Sequence, residues 1–231
     1  MAGKLIVLDG LDGAGKATQQ KLLAKRLRDL GYTVKTISFP QYEEFFGRII
    51  GRGLMGEFGN WVKIDPHILS IIYAADRFHA SKKMKNWLKK GYIVIADRYV
   101  SANQLYQAGK IPHLEKREEF LRWLDELEYE QFKIPRPDLV VYLDVPVSIS
   151  LKLSLKSANK KKSYAKGQKQ DTHEKDAELL EKVRKNALEF LTKLYKDSWR
   201  TIRCVDRRGR LMSPRKIAEK IFAVVKKELK L

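Results

Sequence analysis

Along this chain, short continuous apolar runs alternate with longer stretches in which apolar residues return every three or four positions. The first pattern reads as buried β-strand and the second as amphipathic helix. Strands are predicted over residues 4–9, 33–38, 92–96, 138–143 and 201–205, and helices over 16–30, 44–55, 66–89, 114–130, 174–198 and 214–229. In the last helix Ile217, Ile221, Val224 and Val225 share one face, and Pro214 follows Ser213 at the first turn. Strands that are apolar throughout, separated by helices, are the pattern of a parallel sheet covered on both sides. The expected fold is α/β, a three-layer arrangement with a five-stranded parallel sheet and helices on both faces. No internal repeat is present. Such sheets bind ligands at the carboxyl ends of their strands, so the residues that leave those ends carry the functional reading.

The first strand, Leu5-Ile6-Val7-Leu8, runs into Asp9-Gly10-Leu11-Asp12-Gly13-Ala14-Gly15-Lys16-Ala17-Thr18, and a helical pattern with Leu22, Leu23 and Leu27 follows. Strand, glycine-rich turn, lysine and helix in that order form a phosphate-binding loop, or P-loop. Backbone N–H groups close around phosphate oxygens, the helix N-terminus points at the same place, and Lys16 adds a full charge. Gly10, Leu11, Asp12, Gly13, Ala14, Gly15, Lys16, Ala17 and Thr18 are thus candidate nucleotide-binding residues. The bland alternative is a glycine-rich turn with a surface lysine. Ala17 stands where Ser or Thr usually meets Mg²⁺, and Thr18, one position on, faces elsewhere on the helix. The loop alone names no reaction, since GTPases, motor ATPases and small-molecule kinases share it. The second strand leads into Phe39-Pro40-Gln41-Tyr42 and the third into Asp97-Arg98-Tyr99. Three strand ends suited to phosphate or metal would then meet in one crevice.

Composition narrows the class. At 231 residues the chain suits one large α/β domain spanning 1–231. No apolar run reaches the length of a membrane span, and a core strand begins at once, so neither a transmembrane helix nor a signal peptide is expected. The single cysteine, Cys204, excludes an internal disulfide and reads as a small buried residue, which fits a reducing, cytoplasmic compartment. The formal net charge is +19. Such a surface concentrates anions, but the lysines are spread along the chain with no nucleic-acid-binding motif beside them. The charge is therefore read as a solvated surface, and neither nucleic acid nor membrane is expected as a partner.

One stretch breaks the alternation. Residues 152–169 carry seven lysines and no carboxylate, with Ser157, Asn159, Ser163 and Gly167 diluting any helical stripe. It reads either as a disordered basic loop or, from its place between the fourth strand and the last long helix, as a mobile basic lid over about 152–172 that folds over phosphates.

The chain resembles the thymidylate kinases, P-loop nucleoside monophosphate kinases that move a phosphoryl group from ATP to dTMP. The resemblance runs from residue 4 to about residue 195. It rests on the P-loop together with Phe39-Pro40-Gln41-Tyr42, Leu54-Met55-Gly56-Glu57-Phe58-Gly59, Tyr73-Ala74-Ala75-Asp76-Arg77, Asp97-Arg98-Tyr99-Val100-Ser101-Ala102-Asn103-Gln104-Leu105-Tyr106-Gln107, Pro137-Asp138-Leu139-Val140-Val141-Tyr142-Leu143-Asp144 and Asp171-Thr172-His173-Glu174. Each is weak alone; in order and at compatible spacing they are specific. The resemblance implies that Lys16, Asp12, Arg98 and Asp97 serve catalysis and that Asp12 and Asp97 lie near Mg²⁺. It also implies that Asp12, Phe39, Tyr42, Tyr73, Arg77, Arg98, Asn103, Tyr106 and Glu174 line the dTMP site. Tyr73 would stack on thymine, Arg77 and Asn103 would read its edge, Tyr106 would crowd the sugar 2′ position, and Arg98 would clamp the phosphate.

Each role has a structural alternative. Tyr73 also fits a core stripe with Ile68, Ile72 and Ala75. Arg77 fits a surface ion pair, with Asp76 beside it to fix the guanidinium. Asn103 and Tyr106 fit helix packing, and Asp97 a helix cap. Asp171 reads as a cap, and Glu174 either way. Asp9 would hold an arginine or support the metal's surroundings. The family also implies a homodimer through helices early in the chain; Trp61 and Trp87 fit that surface or the core.

Three departures qualify the carry-over. Ala17 withholds a hydroxyl from Mg²⁺. Gln41 stands where many relatives have arginine, which throws more onto Arg98 and Arg48. Gly13 and Ala14 exclude an arginine within the P-loop, and the basic stretch offers Lys160, Lys161, Lys162, Lys166 and Lys169, point charges without arginine's fork. The rival readings are a kinase for another nucleoside monophosphate such as dUMP, a basic nucleic-acid-binding ATPase, and a catalytically dead regulator.

Overall fold

The computed structural model describes residues 3–162 and 177–230. Its centre is a parallel five-stranded sheet of β1 (Lys4–Gly10), β2 (Val34–Ser38), β3 (Ile93–Asp97), β4 (Leu139–Asp144) and β5 (Trp199–Arg203), in the order β2-β3-β1-β4-β5. The helices are α1 (Lys16–Asp29), α2 (Phe45–Leu54), α3 (Pro66–Lys89), α4 (Val100–Tyr106), α5 (Leu114–Asp125), α6 (Val147–Lys162), α7 (Ala177–Lys185), α8 (Thr192–Leu194) and α9 (Pro214–Leu229). The strands are buried on both faces, yet alternate residues still divide between them. Leu5 and Val7 of β1 join a core with Ala80 and Met84 of α3, Phe120 and Leu124 of α5 and Val183 of α7. Ile6 and Leu8 join a separate core with Leu23 and Leu27 of α1 and Ile217, Ile221 and Val225 of α9. That division makes three layers, as the two-residue period of a strand requires.

The sheet places the carboxyl end of β1 between those of β3 and β4. The chain leaves β1 for β2 on one side and places β4 on the other, so the end of β1 is a switch point where a crevice opens.

Several boundaries differ from the sequence pattern. The last strand begins at Trp199, paired with Val140, and ends at Arg203, two residues ahead of the expected 201–205. Its exposed Thr201 and Arg203 hide an edge strand whose buried residues are Trp199 and Ile202. Cys204 just beyond it is fully buried, and burial pushes its thiol up to about 12. The sequence pattern gives α4 no span of its own, although Asn103 and Tyr106 read as one helical face; its buried residues Val100, Ser101, Asn103, Gln104, Leu105 and Tyr106 mix polar with apolar and leave no apolar stripe. The helix expected over 114–130 ends at Asp125 and passes into a wider π turn, Glu126–Gln131. Within the helix expected over 174–198, α7 and α8 flank a second π turn, Asn186–Leu191.

The basic stretch is also corrected in part. Residues 152–162 are not loop but the continuation of α6. Its inward face carries Ser150 and Ser154, both buried, beside Val147 and Leu151 on the main core. The remainder of the expected lid, 163–172, and Asp171, His173 and Glu174 lie outside the described residues. Trp61 is 2% exposed and belongs to a small core with Ile50, Leu54 and Leu69, while Trp87 packs on the main core. Trp61 is therefore an interior residue, while Trp87 is only half-buried. Among the described residues, no helix is long and apolar enough to cross a membrane.

Candidate active site

The loop between β1 and α1 is shaped by left-handed glycines. Gly13 has φ +83°, and a Cβ there would lie 2.3 Å from the Ser150 carbonyl oxygen. The loop thus touches the backbone of α6, and only glycine permits both the angle and the approach. Ser150 Oγ donates to the Asp12 carbonyl on the same side. Lys16 is 7% exposed and curls over the loop, donating to the carbonyls of Gly10 at 3.1 Å and Leu11 at 2.8 Å. Desolvation lowers its pKa, aided by Arg98 and opposed by Asp12, Asp97 and Asp9.

Asp9, fully buried at the end of β1, accepts from the Gly10 N–H at 2.8 Å and from Ser101 Oγ. Burial raises its carboxyl pKa, with Arg98 foremost among the opposing groups. The Ser101 bond ties α4 to β1 and so fixes the helix that carries Asn103 and Tyr106. Arg98 sits at φ +64°, a left-handed conformation for a residue with a side chain. Such a conformation costs on the order of 1–3 kcal/mol and collects at functional sites. Its backbone N–H bonds the Leu8 carbonyl at 3.0 Å, which carries the turn over β1. Its guanidinium pairs with Asp12, lies 4.0 Å from Asp9, and stacks 5.4 Å from the Tyr106 ring centre. Tyr106 Oη closes the group on Asp12 at 3.4 Å. Desolvation opposes the charge of Arg98, but Asp12, Tyr106, Asp9 and Asp97 together outweigh it and the pKa stands well above the ordinary value.

A cleft opens from this group. Asp12, Phe39, Tyr42, Tyr73, Arg77, Arg98, Asn103 and Tyr106 all line it. Every residue expected on the acceptor side is therefore at one cleft, except Glu174, which lies outside the described residues. Tyr73 is half-buried and takes a hydrogen bond from Trp61 Nε1 at 3.3 Å. Phe39 packs on Tyr99 with ring centres 5.7 Å apart, and Tyr42 is 51% exposed at the rim. Tyr99, Ala102 and Gln107 also line the cleft; their place within the Asp97–Gln107 segment was the sequence signal for them.

Arg77 is not a surface residue. It is 2% exposed, and its Nε and Nη2 each donate at 2.6 Å to the two oxygens of Glu128, itself fully buried. Desolvation works against the guanidinium, but Glu128 more than compensates and raises its pKa. The expected partner, Asp76, faces elsewhere and accepts from the Gln41 N–H at 3.0 Å, because adjacent helical residues do not face each other. Sequence reasoning missed Glu128: a carboxylate among the acidic residues of Glu126–Gln131 carries no local sign that the π turn brings it inside. Removing one partner of such a buried pair costs about 3–5 kcal/mol. Arg48 is exposed and donates to the Glu43 carbonyl, away from the cleft lining.

Asp97 does not cap α4, whose first turn follows Tyr99 without a side-chain cap. Among the described residues, no three His, Cys, Asp or Glu side chains form a metal cluster. Mg²⁺ does not need one, since it commonly takes one or two carboxylates and completes its shell with phosphate and water. Asp97, whose side chain has no hydrogen bond or ion pair to another described residue, fits that mode; Asp12 is engaged by Arg98. The site residues come from the ends of β1, β2 and β3 and from α3 and α4, and the phosphate loop and the lined cleft meet at Asp12.

The thymidylate kinase family model matches residues 8–206. The chain belongs to the thymidylate kinase family. It is 34% identical over 231 residues to a probable thymidylate kinase of Pyrococcus abyssi, covering 99% of this chain and 98% of that one. With the thymidylate kinase of Mycobacterium tuberculosis it shares 30% identity over 181 residues, 78% of this chain and 81% of the relative. The fold is that of the solved thymidylate kinase from Candida albicans, with a TM-score of 0.71 over 99% of this chain and 93% of that one at 22% identity.

Proposed function

We infer that this chain, acting as one catalytic domain, transfers the γ-phosphoryl group of ATP to dTMP, giving ADP and dTDP. Family membership supports the reaction. The observation that carries the assignment to this site is Asp12: it belongs to the phosphate loop and also lines the cleft that holds Tyr73, Arg77 and Asn103. ATP would lie with its phosphates over Gly10–Thr18, held by main-chain N–H groups and by Lys16 once it swings from the loop carbonyls. In the cleft, Arg98 would grip the dTMP phosphate and Tyr73 would cover the base. Tyr106 would stand against the sugar, and Phe39 and Tyr42 would close the sides. The attacking oxygen belongs to a phosphate monoester, largely ionised at neutral pH, so no general base is required. The protein's work is alignment and neutralisation of the equatorial charge. Asp97, with Asp12 nearby, would hold Mg²⁺, which neutralises charge on the phosphate oxygens when bound.

Exposed Phe45, Ile68, Ile71 and Phe78 on α2 and α3 are the surface we assign to a homodimer; sedimentation at micromolar concentration checks it, and a monomer refutes it. The reaction itself is tested by coupled ADP release with dTMP, dUMP, UMP, dCMP and dGMP as acceptors. Rates with dTMP below those with several of the others overturn the assignment.

A further inference from the structure

Glu128 sits behind the cleft, outside its lining, and holds Arg77, one of the two groups assigned to the base edge. Its two oxygens take Nε and Nη2 of Arg77 side-on. Asn103 Nδ2 donates to the Ser70 carbonyl at 3.2 Å, and the same amide favours the ionised form of Glu128. Glu128 and Ser70 offer only acceptors at these contacts. Turning the amide round would set Oδ1 against a carboxylate and a carbonyl at once, so the orientation is forced. Nδ2 is thereby turned to the back, and Oδ1 is left to the cleft as an acceptor. Arg77 has the opposite character. With two donors on Glu128 and Nη1 reaching the Tyr99 carbonyl at 3.4 Å, its remaining N–H groups are left to the cleft it lines.

We propose that Glu128 is the positioning residue that sets the polarity of the base-reading edge, holding Arg77 as donor and Asn103 as acceptor. This rests on the reading of the cleft as the dTMP site. Such an edge complements a pyrimidine with a carbonyl at C4 and a hydrogen at N3. It opposes cytosine, which presents an amino group and a bare nitrogen at those two positions. Thymine and uracil share the accepted edge, so Glu128 separates dTMP from dCMP but not from dUMP.

The test is Glu128→Gln. Its amide offers one acceptor and one donor where the carboxylate offers two acceptors. An N–H turned toward Asn103 lets that amide invert and present its donors to the cleft. KM for dTMP is expected to rise about tenfold or more, with a smaller change in kcat, while KM for ATP stays within about twofold. The ratio of kcat/KM for dCMP over dTMP is expected to rise about tenfold, and the ratio for dUMP over dTMP to stay level. These ratios do not depend on the fraction of enzyme folded, so a purely structural role would leave both unchanged. Should Glu128→Gln fail to fold, Glu128→Asp keeps the buried charge but withdraws it by one methylene, and the same shift is expected at smaller amplitude. A dCMP/dTMP ratio within twofold of wild type in whichever variant folds overturns the role of Glu128. Absence of dTMP-dependent ADP release by the unaltered chain would instead remove the reading of the site.

Discussion

The two halves of the cleft are built in different ways. The phosphate half is contiguous: Asp9 to Thr18 supply the loop and lysine within ten residues, and main-chain geometry does most of the shaping. The base half is assembled from Tyr73 and Arg77 on α3, Asn103 on α4 and Glu128 on a π turn, residues that meet only when three helices pack on one face of the sheet. A local loop is robust and indifferent to what it phosphorylates. A chain of buried side-chain contacts is sensitive to each member and is where selectivity can reside. The single turn at Arg98, strained in its backbone and paired with Asp12, joins the two.

Substitutions should therefore sort by half. Lys16→Ala is expected to lower kcat by about 10²–10³ for all acceptors alike; steady-state rates that retain a tenth of wild-type turnover would break the division. Arg98→Lys keeps the charge and loses the fork, and kcat/KM for dTMP should fall about a hundredfold. Gly13→Ala drives a Cβ into the Ser150 carbonyl at 2.3 Å. It should cost about 2 kcal/mol in denaturant unfolding, with acceptor preference unaltered. Tyr73→Leu should raise KM for dTMP about tenfold and leave KM for ATP in place; equal changes in both would merge the halves.

Lys110, at the turn beyond α4, serves neither half and provides the control. Its Nζ is buried with no hydrogen-bond partner among the described residues, and desolvation lowers its pKa from 10.5 to about 8. Between those values the unfolded chain binds the proton and the folded one does not, so stability rises with pH there. Below about 8 the burial penalty is fully present. Lys110→Met should thus raise Tm by a few degrees at pH 7, with the gain fading toward pH 10.5 and both KM values unmoved. A gain that persists at high pH would assign the effect to packing instead.

The sequence alone carried the alternation of strands and helices, the loop at Gly10–Lys16, and the family motifs, because each is written in neighbouring residues or in a period of two or 3.6. The burial of Cys204 and the span of α3 were legible for the same reason. Only tertiary structure decided that Glu128, not Asp76, holds Arg77, and that Asn103 turns its Nδ2 to the Ser70 carbonyl. It also decided that Ser150 and Ser154 turn the start of a basic stretch into a helix against the loop. These outcomes depend on which polar groups lose their water together. That is set by the packing of α3, α4 and the π turn, and no local pattern records it.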